Sequence, residues 1–93
     1  MSYTVYILYS GKYQKIYIGS SSHLINRFHS HNFKGTKDWT KNFRPWLVIY
    51  CEFYENKSTA LKREKQLKSA VAREIIWTKI GNEFNQKGNI TNL

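Results

Sequence analysis

Ninety-three residues, 41% hydrophobic and 16% aromatic, with a single cysteine, describe one small domain with its own core and exclude both an intrachain disulfide framework and a Cys-based zinc site. Fifteen Lys and Arg against six Asp and Glu leave +9 at pH 7, which favours nucleic acid or another anionic surface as partner; solubility alone is the plainer reading of the same charge. No apolar run is long enough to span a bilayer, and the stretch from Met1 to Tyr6 lacks the basic region and cleavage site of a secretory leader.

The chain opens with alternation. Tyr3, Val5, Ile7 and Tyr9 point one way and Thr4, Tyr6 and Leu8 the other, the pattern of a half-buried strand. Ser10-Gly11-Lys12 reads as a turn and Lys15 to Gly19 as the returning strand of a hairpin. Ser20-Ser21-Ser22 offers N-cap hydroxyls to a helix whose apolar stripe is Leu24, Ile25 and Phe28. Arg27 and His31 sit at i and i+4, together beside that stripe, and the helix is expected to fray between Asn32 and Gly35. Phe33 to Arg44 has no periodicity and reads as a basic, aromatic loop.

Pro45 can open a strand, where its missing N–H matters least. Trp46 to Tyr54 is nearly continuous in apolar and aromatic residues, which predicts the central, most buried strand, with Cys51 as a buried small hydrophobe suited to a reducing, cytoplasmic setting. Asn56 or Ser58 caps a second helix that turns Ala60, Leu61 and Leu67 inward. Ser69 caps a third, with Ala72, Ile75, Ile76 and Ile80 as its stripe and Gly81 as its stop. The expected fold is α+β (mixed α/β): a small three-stranded antiparallel sheet flanked by helices, in the order β-β-α-β-α-α. The domain is placed at residues 1–81, with a loose, Asn-rich tail at 82–93.

Several residues have chemistry to offer. Phosphodiester hydrolysis needs a base for water, a cation against developing charge, a ligand for any metal and a grip on the backbone. Taken alone, Tyr6 reads as a strand aromatic, Arg27 as a solvated cation, and Glu64 as the i,i+4 partner of Lys68. Lys34, Lys37, Lys41 and Arg44, interleaved with Trp39 and Phe43, can grip phosphates and stack on bases, or can form a solvated loop with its aromatics folded inward. His23, His29 and His31 do not gather on one helix face, so they form no zinc site.

The order Thr4-Val5-Tyr6, Tyr17-Ile18-Gly19, Arg27, His31 and the helix Ala60 to Lys68 with Glu64 resembles the GIY-YIG nuclease domain, most closely its short stand-alone members. The resemblance spans roughly residues 3 to 68; the first tripeptide keeps only its tyrosine, the second matches fully. It implies a metal-dependent endonuclease acting on DNA, branched or damaged DNA included. Tyr6 is then the general base or water-orienting group, and Tyr17 positions water or phosphate. Arg27 stabilises the transition state and helps lower the Tyr6 pKa, and His31 bonds Tyr6 or phosphate or serves as acid. Glu64 becomes the ligand of one Mg²⁺ or other divalent ion. Gly19 would permit close approach by the next helix or a ligand. The alternative on the same fold is a non-catalytic nucleic-acid-binding module. No membrane contact and no obligate protein partner are expected.

Overall fold

The computed structural model describes residues 2–34 and 39–85. Strand β1 (Tyr3–Ser10) turns into β2 (Lys15–Ser21), and a short helix α1 (Leu24–His29) runs into a π-helical turn at Ser30–Lys34. A 3₁₀ segment at Trp39–Phe43 precedes β3 (Leu47–Tyr54), followed by α2 (Lys57–Leu67), α3 (Ala70–Ile80) and a second π-helical turn at Gly81–Asn85. The sheet is three-stranded, antiparallel and ordered β2-β1-β3, so the expected β-β-α-β-α-α architecture stands.

The hairpin turn closes on Gln14, not on a glycine. Gln14 holds φ at 54°, and its amide donates to Gly11 O at 2.8 Å and to Tyr9 Oη at 3.1 Å, which offsets the cost of left-handed backbone.

β1 is the central strand, and the alternation predicted for it is present with a difference: both faces are covered. Val5, Ile7 and Tyr9 join Ile16, Ile18, Ala60, Leu67 and Ile80 in one layer, beneath α2 and α3. Tyr6 and Leu8 join Trp46 in the other, with Tyr17, Leu24, Phe28, Phe43, Val48 and Cys51 packed around them. The half-buried expectation for β1 and the central position given to Trp46–Tyr54 are therefore both corrected. β3 pairs only with β1, with a register irregularity between Ile7 and Leu8, and Leu47 and Phe53 stay exposed. A continuous apolar run satisfies an edge strand with one covered face as readily as a buried strand, so sequence could not separate the two. Cys51 is half-buried, and burial pushes its thiol pKa up.

Helix caps follow the sequence at two of three sites. Asn56 Oδ1 accepts from Thr59 N at 2.9 Å, and Ser69 Oγ accepts from Ala72 N at 3.2 Å. At α1 the expected serine cap does not form: His23 is the N-cap and makes no side-chain capping bond, while Ser20 and Ser21 still belong to β2. Ile25, Leu61 and Ile75 also depart from their predicted inward positions and stand exposed; Trp77 takes up core contact by meeting Tyr9 edge-on at 6.1 Å. Gly81 does not break the path of the chain. It keeps helical angles (φ −57°, ψ −44°), and the backbone continues into the π-helical turn. No helix among the described residues is long and apolar enough to cross a membrane.

Candidate active site

The site lies on the Tyr6 face of the sheet and begins with hairpin register. Tyr6 pairs with Gly19 and Leu8 with Tyr17, so Tyr6 and Tyr17 are diagonal neighbours on one face, with ring centroids 6.3 Å apart. Sequence left that register open. Gly19 is needed here for space. A Cβ on it would stand 2.7 Å from Tyr6 Oη and 2.8 Å from Cζ, so the close approach comes from the Tyr6 ring itself, not from the next helix.

The segment after β2 delivers two groups to the Tyr6 hydroxyl. Arg27, exposed on α1, lies close enough for its guanidinium to draw the hydroxyl's pKa down. His31, in the π-helical turn and only 1% exposed, places Nε2 3.1 Å from it, with the imidazole 4.6 Å from the Tyr17 ring centroid. Arg27 and His31, expected side by side, instead act on Tyr6 from different depths, one exposed and one buried. The helix widens between the two, which lets one side chain stay at the surface while the other turns inward.

The expectation that cations depress the Tyr6 pKa is overturned in net effect. Burial, reinforced by neighbouring Tyr17, pushes it up to about 12; the Arg27 guanidinium pulls the other way and Glu64 adds to the rise. Tyr6 is a neutral phenol at physiological pH.

Glu64 arrives from α2. Its Oε1 accepts from Ser20 Oγ at 2.6 Å, and its Oε2 accepts from Lys68 Nζ at 2.6 Å. The i,i+4 pair foreseen from sequence exists, but the carboxylate, at 18% side-chain exposure, is also tied to the end of β2 beside Gly19.

Tyr6, Tyr17 and His31 therefore form one contact cluster, with Arg27 and Glu64 near enough to act on Tyr6. The GIY-YIG catalytic domain model matches residues 2–79. The chain belongs to the GIY-YIG catalytic domain family. It is 39% identical over 54 residues to UPF0213 proteins of Staphylococcus aureus strains Mu3 and N315, a match covering 58% of this chain and 66% of theirs. The matched part thus spans just under two thirds of the length of those relatives. The solution NMR structure of a UPF0213 protein from Bacillus halodurans shares the fold, with a TM-score of 0.52, 22% identity and 90% of each chain covered.

Within this GIY-YIG site, Glu64 and Ser20 form an all-oxygen donor pair, the chemistry a hard divalent cation takes. Among the described residues no group of three or more His, Cys, Asp or Glu side chains gathers to hold a metal. The residues fit an ion held by one carboxylate and completed by water and substrate phosphate, not a preformed cage.

The basic loop divides. Trp39 is 49% exposed and stacks at 4.5 Å from Phe43 and 6.0 Å from Trp46; Phe43 packs into the Tyr6 layer, with Lys15 Nζ 5.5 Å above its ring. Lys41 is exposed. Arg44 is engaged in the fold, donating from Nε to His31 O at 2.6 Å and from Nη2 to Ser30 O at 3.0 Å. Lys37 lies outside the described residues, as does the Lys34 side chain.

Three residues of the site frame escaped the sequence reading. Asn32 clamps the backbone of Trp46, accepting from its N–H at 2.5 Å and donating to its carbonyl at 3.0 Å. Ser20 and Thr40 contact Glu64 and His31 directly. Ser20 had a signal, its place directly after Gly19, the last residue of the second tripeptide. Thr40, between Trp39 and Lys41, had none.

Proposed function

We propose that this protein is a metal-assisted endonuclease that hydrolyses DNA phosphodiester bonds. The observation that carries the reading is the convergence of Arg27 and His31 on the hydroxyl of Tyr6, with the Glu64 carboxylate close enough to be felt there.

In this reading Tyr6 takes the proton of the attacking water. A phenol held near pKa 12 cannot wait as phenolate at neutral pH, so its own proton must leave in the same event. His31 Nε2, 3.1 Å away, is the acceptor. The water oxygen then attacks phosphorus as its proton passes to Tyr6 Oη and the Tyr6 proton passes to His31; the P–O bond to the leaving oxygen breaks, that oxygen takes a proton from solvent water, and the imidazolium gives its proton back through Tyr6 to the hydroxide so formed. Arg27 is aimed at charge growing on the phosphoryl oxygens. Tyr17 packs beside both Tyr6 and His31 and keeps water or phosphate in line. A divalent cation, when bound, would supply Lewis-acid neutralisation of the phosphate; Glu64, with Ser20 fixing its orientation, would hold it. Exposed Lys41 and the free part of Trp39 serve the nucleic-acid backbone and bases, with Lys34 and Lys37 proposed beside them and Arg44 bracing the same loop.

The deciding experiment is nicking of supercoiled DNA with Mg²⁺, with EDTA, and with Glu64→Gln. Wild type should nick only with Mg²⁺, and folded Glu64→Gln should not nick. Full nicking by the folded variant would remove Glu64 from the chemistry. A wild type that cuts neither duplex, flap nor junction DNA, yet binds them, would make the non-catalytic module the better reading.

A further inference from the structure

His31 is buried, and each of its ring nitrogens faces a hydroxyl. Nε2 is 3.1 Å from Tyr6 Oη, and Nδ1 is 2.9 Å from Thr40 Oγ1. A neutral imidazole carries one N–H, so the two contacts cannot both be donated by the ring. Which nitrogen holds the hydrogen decides whether the ring can accept a proton from Tyr6 at all.

Thr40 is itself held with care. It is 1% exposed, although it sits in a short 3₁₀ segment among exposed Trp39, Lys41 and Asn42. Its carbonyl accepts the indole N–H of buried Trp46 at 2.8 Å. Trp46 is in turn clamped by both ends of the Asn32 amide, and Arg44 grips the carbonyls of Ser30 and His31. The hydroxyl of Thr40 and the ring of His31 are thus fixed from both sides by bonds that do no chemistry.

We infer that Thr40 is a positioning residue that locks His31 in the Nδ1–H tautomer, leaving Nε2 open as acceptor for the Tyr6 proton. Three observations converge on this direction. Arg27 acts on the Tyr6 hydroxyl and its guanidinium can only donate, so it favours the oxygen's lone pairs and leaves the Tyr6 O–H to point elsewhere. The acceptor waiting at 3.1 Å is Nε2. The Nδ1–H then donates to Thr40 Oγ1 and keeps that bond unchanged when the ring gains its second proton at Nε2. In the opposite tautomer Thr40 would have to donate to Nδ1, and its hydroxyl would have to turn before the ring could become an imidazolium. The locked arrangement needs no such rearrangement, which is what preorganisation for proton transfer requires.

The catalytic meaning of the lock rests on the proposed nuclease reading; the tautomer itself does not. The experiment therefore has two arms. In the first, nitrogen-15 NMR of His31 in the intact protein reports directly which ring nitrogen is protonated. Wild type should show a protonated Nδ1 and a pyridine-type Nε2. Thr40→Val, close in shape but without the hydroxyl, should lose that single state in favour of the Nε2–H tautomer or a mixture, and Thr40→Ser should restore it. Thr40→Ala replaces Thr40→Val if the added methyl disturbs folding. A wild-type ring protonated at Nε2 overturns the inference, and so does an Nδ1–H ring that persists without the hydroxyl. In the second arm, single-turnover nicking by Thr40→Val should slow by about 10–100-fold, by analogy with the loss of the outer hydrogen-bond partner of a metal-bound histidine, with DNA affinity unchanged and Thr40→Ser near wild type. A rate unmoved in Thr40→Val while its tautomer shifts would leave the lock standing and remove His31 from the proton path.

Discussion

Gly19→Ala is the sharpest test of how Tyr6 is held. The new methyl would lie 2.7 Å from Tyr6 Oη, 2.8 Å from Cζ and 3.0 Å from Tyr17 Cε1. Ordinary carbon contacts start near 3.5 Å, so the Tyr6 ring would have to withdraw by on the order of 0.7 Å. It has no open side to withdraw to, being 1% exposed and bounded by Leu8, Trp46 and the His31 ring. Overpacking of this kind costs about 1–3 kcal/mol. Loss of the buried Tyr6–His31 bond adds about 1 kcal/mol. Against this stands a gain of about 0.4–1 kcal/mol, because alanine restricts the unfolded chain and Gly19 has no positive φ to forbid it. The net loss is about 1–3 kcal/mol, or a melting temperature lower by roughly 5–20 °C for a domain of this size. Circular dichroism melting measures it, with single-turnover nicking alongside. A variant that melts within about 2 °C of wild type, well under the 4 °C that 1 kcal/mol produces, would refute the claim that Gly19 is there to admit the tyrosine.

Tyr6→Phe keeps the ring and removes the hydroxyl, so nicking should fall by roughly 10²–10⁴-fold with DNA binding unchanged; equal single-turnover rates would make Tyr6 a packing residue. Affinity for DNA should fall steeply across a salt series, as the +9 charge implies, and a flat response would rule out an electrostatic binding surface. On the opposite sheet face, hydrogen bonds from Arg63 hold the Glu52 pKa down to about 2, against the cost of its burial and with help from the hydroxyls of Tyr50 and Tyr54. A depressed carboxyl stabilises the fold above its unfolded pKa of about 4.3 and loses that contribution as pH falls toward 2. Wild type should therefore shed stability in urea melts between about pH 5 and pH 2, and Glu52→Gln should show less of that slope.

What could be read in the chain, and what could not, follows from the range of the interactions. Element order and the Asn56 and Ser69 caps are written in short windows, where local spacing carries the information, whereas the set Tyr6, Tyr17, Arg27, His31 and Glu64 is legible only through the family resemblance. Strand order is a long-range property. Trp46–Tyr54 looked central because apolar residues were counted without knowing that Leu47 and Phe53 would face solvent. The sign of the Tyr6 pKa shift was beyond reach for the same reason. Arg27 was visible as a nearby cation, but the burial that outweighs it is made by Trp46, Phe43 and Leu24, distant in sequence. Ser20 and Thr40 are ordinary polar residues until Glu64 and His31 fold against them.

The two faces of β1 divide the work of the protein. Val5, Ile7 and Ile18 meet Ala60, Leu67 and Ile80 in a layer dominated by aliphatic side chains, where each buried aliphatic group contributes on the order of 1.5–3 kcal/mol. The Tyr6 layer carries instead the buried polar groups Tyr6, His31 and Thr40, each satisfied by a specific partner. Such a layer adds little net stability per bond, since hydrogen bonds to water are exchanged for hydrogen bonds within the protein. Its value is in direction: every bond fixes where a proton can go. A 93-residue domain can keep a polar network buried because the opposite face, through α2 and α3, supplies the apolar burial that the network forgoes. That same α2 brings Glu64 to Ser20, next to Gly19 on β2, so the helix that closes the core also carries the carboxylate proposed for the site.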